Sequence, residues 1–195
     1  MGNTSAAGGY LIPAPSAPFG SLTFKQFLQT VFVGISGLPF NLVRPKWEIN
    51  PAKQPDVTVN WLAIGLHVNK PDANAFLGVN SDGSNNTQRH EELEIDCSFY
   101  GPDADDVASL TRDGFQVPSN LEALRSVNMG FAGTNSALRV PDLVNERWVD
   151  RYEMTVVLRR EIFRTYPLLT FLSANGTIHA ELSGGEKSIP FASGG

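Results

Sequence analysis

The stretch EELEIDCSFYGPD (residues 91–103) sets the pattern of this 195-residue chain. In its first ten residues, four apolar side chains alternate with polar ones: Leu93, Ile95, Cys97 and Phe99. This period of two is typical of an antiparallel strand with one buried face. The Gly-Pro-Asp that follows predicts a helix to about Asp113, because proline fits a first helical turn and acidic residues there complement the helix dipole.

A second helix and a second strand precede this stretch. Six apolar residues recur at helical spacing between Phe24 and Ile35, which predicts a helix near 23–36. Thr23 and Gln26 fit a capping box at its start, and Gly34 and Gly37 mark its end. Residues 57–69 alternate in hydropathy and predict a strand.

Polar segments separate the regular elements. Residues 70–90 predict a long loop or hairpin tip, and within it 72–86, rich in Asp, Asn, Gly and Ser, is expected to be mobile and exposed. Ser119 and Glu122 form a capping-box pattern that predicts a short helix to Val127. Residues 128–146 are rich in Gly and Asn and predict an irregular excursion.

The C-terminal third is dominated by a β-type run at 147–166. At about 3.3 Å per residue this run would span roughly 60 Å, so it must bend, bulge or project beyond its own sheet. Asn175-Gly176 predicts a hairpin turn, and 177–182 a closing strand. These assignments give one folded domain at 22–182. Residues 1–21, rich in small residues and proline, are expected to be a flexible arm with polyproline II character, and 183–195 a flexible tail.

Composition narrows the function classes. The chain has 20 acidic and 15 basic residues, a net charge of −5, which disfavours wrapping of nucleic acid. Its one cysteine excludes an internal disulfide framework and a cysteine-based zinc site. No apolar run reaches the length of about 18 residues that spans a membrane. The N-terminus lacks the charged and apolar regions of a signal peptide, so none is expected.

The sequence offers no pattern typical of catalysis. We interpret the histidines His67, His90 and His179 as ordinary strand or surface residues, because a metal site would need them to converge. The spacings HExxH, GxxxxGK[ST] and GxSxG are absent from the sequence. Cys97 lies on the apolar side of its strand and is interpreted as a core residue.

Charged residues follow two of the predicted strands. Glu92, Glu94 and Asp96 share the polar face of one strand. Arg151 and Arg159 lie in the long β run, where arginines alternate with aromatic residues. That alternation leaves a nucleic-acid hypothesis open, but interspersed acids favour pairing of these arginines with acids in the same or a neighbouring copy.

Three segments, taken in order, carry a family resemblance. The first is LVRPKWEINPAKQP (42–55), followed by VNWLAIGL (59–66). The second is SFYGPDADDVASLTRDGFQVPSNLEAL (98–124). The third is RWVDRYEMTVVLRREIFRTYPLL (147–169) with SANGTIHAEL (173–182). Together they resemble the neck and tail-terminator proteins of long-tailed bacteriophages.

The resemblance implies an α+β fold, a mixed or antiparallel sheet packed against helices. It also implies a virion structural protein without enzyme activity or cofactors, which forms a ring, expected to be a hexamer, at the phage neck. The ring would terminate the tail tube and join it to the head-side connector. The implied partners are further copies of the chain, the tail tube protein and the connector or adaptor protein. Neither a membrane nor a specifically bound nucleic acid is implied, although DNA can pass through the ring.

The resemblance further implies assembly in the host bacterial cytoplasm. Both a tail-terminator role and an adjacent neck-ring role fit the sequence. We expect the subunit or partner interface to include Glu92, Glu94, Asp96, Arg151 and Arg159, with Glu94 and Arg159 as candidate partners. The alternative hypothesis is a small-molecule-binding or hydrolytic α+β domain, since a sheet-and-helix core can hold a pocket. Convergence of the three histidines would favour that alternative.

Overall fold

The computed structural model of the chain describes residues 10–13, 21–81, 84–144, 146–166, 173–182 and 185–194. Its α-helices are α1 (Ser21–Ser36), α2 (Ala104–Gly114) and α3 (Glu122–Arg125). Its strands are β1 (Val43–Pro45), β2 (Trp61–Pro71), β3 (Phe76–Val79), β4 (Asn85–Tyr100), β5 (Met129–Thr134), β6 (Leu138–Arg139), β7 (Asp142–Val144), β8 (Arg147–Val149), β9 (Arg151–Tyr166), β10 (Ser173–Leu182) and β11 (Gly185–Gly194).

A main sheet organises these elements. Its strand order is β1-β2-β4-β9-β5, with β3 also paired to β4 and β6 to β9. The β1–β2 pair is parallel, and the other pairs of this sheet are antiparallel. The two longest strands, β4 and β9, pair along their whole length without a register shift. The expected α+β fold with a mixed sheet and helices is therefore confirmed.

The helices cover one face of this sheet. The apolar residues of β4 that the sequence places on one side are buried and belong to the same core cluster as Phe24, Leu28 and Phe32 of α1. The Phe32 ring meets Phe115 edge to face, with centroids 5.3 Å apart, and Phe115 stacks on Phe131 of β5. Aromatic packing thus joins α1, the end of α2 and an edge strand in one core.

The first helix begins earlier than the capping pattern predicts. It starts at Ser21, so Thr23 lies inside the helix and is not its cap. Its end at Ser36 agrees with the prediction. Gly37 adopts a φ of +71°, and its N–H donates to the Val33 carbonyl at 3.1 Å. This left-handed residue after the last turn is a common helix stop.

Strand β2 departs from the simple alternation of its sequence. It begins at Trp61, later than predicted, and its register against β4 shifts between Leu66 and Val68. The bulge gives β2 one extra residue, so that Val68 pairs with Glu94 on the face away from the helices. A period-two pattern cannot continue across a bulge.

Two predicted loops contain strands. Within 72–86, which we expected to be a mobile loop, β3 pairs with the start of β4, because the AFLGV run supplies β-forming residues inside a polar segment. Within 128–146, expected to be irregular, β5 and β6 pair with β9. The glycines of β5 did not prevent pairing, since the neighbouring strand supplied its hydrogen bonds.

The long β run is divided as its length requires. Residues 147–149 form β8, which pairs with β7, and after Asp150 the sixteen residues 151–166 form β9. The predicted turn at Asn175-Gly176 is wrong: both residues lie within β10, opposite Ala192 and Phe191 of β11. The connection from β10 to β11 falls at 183–184, outside the described residues. Gly185–Gly194, part of the expected C-terminal tail, forms β11 instead, because pairing with β10 satisfies its backbone.

Most of the expected N-terminal arm lies outside the described residues. Of 1–21, the structure describes 10–13 and Ser21, the first residue of α1. Among the helices in the described part of the chain, none is long and apolar enough to cross a membrane.

Candidate assembly interface

The face of the main sheet opposite the helices, here called the open face, carries the predicted interface residues. Antiparallel partners lie on the same side of a sheet. Arg159 of β9 pairs in register with Glu92, and Arg151 with Tyr100. Glu94 and Asp96 share the parity of Glu92 on β4, so the register brings Glu92, Glu94, Asp96, Arg151 and Arg159 to one face.

Within one copy, both residues of the expected interface pair have other ionic partners. Glu94 accepts from Lys70 of β2 at 3.3 Å, while Arg159 lies 3.6 Å from Asp72. In register, Glu94 is opposite Val157 and Arg159 is opposite Glu92, so Glu94 and Arg159 are diagonal neighbours on one face. These ion pairs are partly solvated, and such pairs contribute only about 0–1 kcal/mol to folding. Their charges are thus available for contacts with other proteins.

Arg151 is more enclosed than Glu94, Asp96 and Arg159. It contacts Asp142 at 2.6 Å and Glu153 at 3.2 Å. Burial opposes its charge, but Asp142, Glu153 and Tyr100 together outweigh that effect and raise the pKa of Arg151 above its ordinary value. Arg151 is therefore a fixed positive charge at the end of β9.

The β3–β4 hairpin presents apolar side chains to solvent. Phe76, Leu77 and Val79 are 67%, 66% and 78% exposed. Phe76 shares the open face with Gln88 and Phe163, whereas Leu77 and Val79 lie on the opposite side. The sequence predicted exposure of this segment but missed its strand. This four-residue strand therefore exposes large apolar side chains on both of its faces, which makes it a candidate contact surface.

A groove of about 920 Å³ lies at the β1 edge of the open face. The segment 44–54 forms one wall, and Ala63 and Ser98 lie in its floor. The Trp61 and Tyr100 rings stack with centroids 4.2 Å apart, and the Arg44 guanidinium lies 5.8 Å from the Trp61 ring. Sequence reasoning missed this groove, because its lining residues come from five separate segments.

Trp47 adopts an unusual backbone conformation beside the groove. Its φ is +56°, and its ring lies over Gly65 of β2. A Cβ at Gly65 would lie 2.5 Å from the ring atom Cζ3 of Trp47, so glycine permits this approach. The close packing fixes the segment 44–54 against the sheet.

An ion pair is buried on the helix side of the sheet. Glu91 and Arg160 are opposite each other in register, and the Arg160 atoms Nε and Nη2 donate to Glu91 Oε2 at 2.9 and 2.7 Å. Glu91 is 8% exposed, and the Arg160 guanidinium lies 5.3 Å from the Phe24 ring. The sequence could have indicated this pair, since the alternation of each strand places Glu91 and Arg160 on the face that carries the core residues.

The described histidines have different partners. His67 Nδ1 lies 3.5 Å from Asp96, whereas His90 lies 3.6 Å from Asp72 and 3.5 Å from Glu161. His179 belongs to the separate β10–β11 sheet. In the part of the chain that the structure describes, no three His, Cys, Asp or Glu side chains are grouped to hold a metal ion.

Cys97 is buried in the core, as the sequence predicts. Burial raises the pKa of its thiol, which suppresses the reactive thiolate. We expect a thiol-specific reagent at pH 8 to modify the native chain at least about a hundredfold more slowly than the urea-unfolded chain. Equal rates would contradict the burial of Cys97.

The fold and these surfaces define a class of protein. An α+β domain with a charged sheet face that its helices leave free, and with exposed apolar side chains on a hairpin, fits a subunit that assembles with other proteins. The family model described as phage neck terminator protein matches residues 23–181, from α1 into β10. The chain therefore belongs to the phage neck terminator family, a family of structural proteins, and is a component of the virion. Comparison with curated proteins gave no significant match.

Proposed function

We propose that this chain forms a closed ring, a hexamer, at the phage neck. The ring terminates the tail tube and joins it to the head-side connector, and DNA passes through its opening. Membership of the neck terminator family is the observation that supports this proposal. The chain acts there as a structural subunit without catalysis, and it is assembled in the host bacterial cytoplasm.

Contacts between copies are assigned to the open face. Its charges of both signs are partly exposed and only weakly engaged within one copy. A head-to-tail contact brings different surfaces of two copies together and closes into a ring when the rotation permits. In such a ring, each charge on the open face contributes to every interface.

The β3–β4 hairpin is assigned to the tail tube or the connector. It carries apolar side chains on both of its faces, so it can enter a site between two surfaces. Burial of apolar surface there would supply about 25 cal/mol for each Å² removed from water. The charged open face and the apolar hairpin thus have separate roles, one between copies and one towards other neck proteins.

Light scattering and negative-stain imaging test the ring. We expect the purified chain, alone or with tail tube protein, to give a mass that is a multiple of 21.2 kDa and ring-shaped particles. Assembly can require the tube, so both samples are measured. A monomer in both samples, with no rings at the necks of purified virions, would contradict the proposal.

Charge reversal on the open face tests the interface between copies. We expect Arg159→Glu to change the free energy of unfolding by less than about 1 kcal/mol, because its ion pair with Asp72 is exposed. The assembled fraction should fall at least about tenfold if each interface loses roughly 1.4 kcal/mol. The measurement compares melting temperature and assembled fraction.

The matched control is Arg112→Glu on α2, which also breaks an exposed ion pair. It should leave assembly intact. Glu94→Arg should weaken assembly as Arg159→Glu does. No recovery is expected in the double variant, because both residues lie on the open face and a head-to-tail contact sets that face against a different surface of the next copy. Normal assembly of both single variants would assign the open face to solvent.

A further inference from the structure

The groove at the β1 edge has the chemistry of a peptide site. Its volume of about 920 Å³ exceeds that of one side chain and suits several residues of an extended chain. The mutually stacked rings of Trp61 and Tyr100 line the groove, and Phe40 and Trp47 are exposed aromatic residues of its lining. Aromatic-lined grooves of this kind bind proline-rich segments in the polyproline II conformation.

Hydrogen-bond donors accompany these aromatic rings. A polyproline II chain makes no internal hydrogen bonds, so its carbonyl groups need donors in a binding site. The side-chain amides of Asn50 and Gln54 line the groove and are exposed. The groove therefore offers aromatic rings that can pack against prolines. It also offers hydrogen-bond donors for the carbonyl oxygens of a bound segment.

The chain itself contains a segment of matching chemistry. Residues 10–18 read YLIPAPSAP, with three prolines, five other apolar residues and no charge. In the described portion of this segment, Tyr10 is 90% and Ile12 56% exposed, and none of residues 10–13 lines the groove. Apolar side chains exposed in this way gain free energy when a partner covers them.

We infer that residues 10–18 of one copy bind in the groove of a second copy. The inference rests on the proposed ring, in which every copy donates one segment and accepts one. A ring holds the donor at an effective concentration in the millimolar range, so a weak peptide contact becomes occupied. Covering the groove in this way links neighbouring copies through residues that precede α1 in the chain.

The inference restricts how neighbours are arranged. Only two residues separate Pro18 from Ser21, the start of α1, so the three residue steps between them can span at most about 10 Å. The accepting groove must therefore lie close to the start of α1 in the donating copy. The interface consequently brings the α1 start of one copy towards the β1 edge of the next.

Disulfide trapping in the full-length assembled protein tests this inference. The variant Ile12→Cys/Ala52→Cys places one thiol in the segment and one in the exposed groove wall. The control, Ile12→Cys/Asp106→Cys, places the second thiol on the exposed surface of α2. Native Cys97 is buried in both variants. We expect mild oxidation to give interchain disulfides in the first variant at least about tenfold faster than in the control.

The possible outcomes separate this inference from the proposed ring. Rings with no excess of interchain disulfide over the control would overturn the inference and leave the ring intact. An intrachain disulfide would show that each copy fills its own groove, which also overturns it. If particles that contain the native neck proteins show neither rings nor interchain disulfide, both the inference and the proposed ring would be overturned.

A second variant tests the role of the prolines. Pro15→Ser/Pro18→Ser, added to the trapping variant, removes the rings that favour polyproline II without adding charge. We expect the rate of interchain disulfide formation to fall to that of the control, with the melting temperature unchanged. An unchanged rate would overturn recognition through polyproline II.

Discussion

Replacing the three exposed apolar residues of the β3–β4 hairpin should abolish neck assembly without unfolding the chain. The variant carries Phe76→Thr, Leu77→Thr and Val79→Thr. Threonine favours strands, so the hairpin should persist, and exposed positions contribute little to folding. If these three side chains are buried at a contact, their loss would cost several kcal/mol of binding free energy. Each 1.4 kcal/mol or so lowers the affinity tenfold, so we expect more than a hundredfold loss of affinity.

The measurement compares assembled neck fraction and melting temperature with those of Leu110→Thr. Leu110 is an exposed apolar residue on α2, away from the hairpin, so its replacement should leave assembly normal. Normal assembly of the triple variant would remove the hairpin from the contact with the tube or connector. A large fall in melting temperature would show instead that its side chains support the fold.

Breaking the buried ion pair should cause the largest loss of stability. Arg160→Met leaves the Glu91 carboxylate under α1 without its guanidinium partner. An uncompensated buried charge costs about 3–5 kcal/mol. For a chain of this size, that cost lowers the melting temperature by roughly 6–20 °C.

The neighbouring residue provides the matched control. Arg159→Met removes the same charge one position earlier, on the open face, and should lower the melting temperature by no more than about 4 °C. The double variant Glu91→Leu/Arg160→Leu should recover most of the stability, because apolar pairs often replace buried ion pairs. Equal melting temperatures of Arg159→Met and Arg160→Met would contradict the burial of the pair.

The sequence predicted the elements whose periodicity is complete. The apolar residues of β4 alternate without interruption, so their buried face followed directly from the pattern. In β2 the same reasoning failed after Leu66, because a bulge is set by pairing with β4 and leaves no mark in hydropathy. Strand β3 was missed because its four residues are too few to establish a period.

The candidate surfaces were predicted only in part. The alternation along β4 placed Glu92, Glu94 and Asp96 on one face. The ionic partner of Arg159 could not be predicted in this way, because it depends on the register between strands. The groove requires residues from five segments to meet, which local sequence cannot show. The pairing of Glu91 with Arg160 could have been anticipated, since a charged residue with core parity needs a buried partner.

The role of the chain at the neck is tested most directly by electron microscopy of phage particles made without it. The proposed function predicts full heads separated from tails, and tail tubes of irregular length. Supplying the full-length chain should restore joined particles with a ring between tube and connector. Joined particles with tails of normal length in its absence would contradict the account.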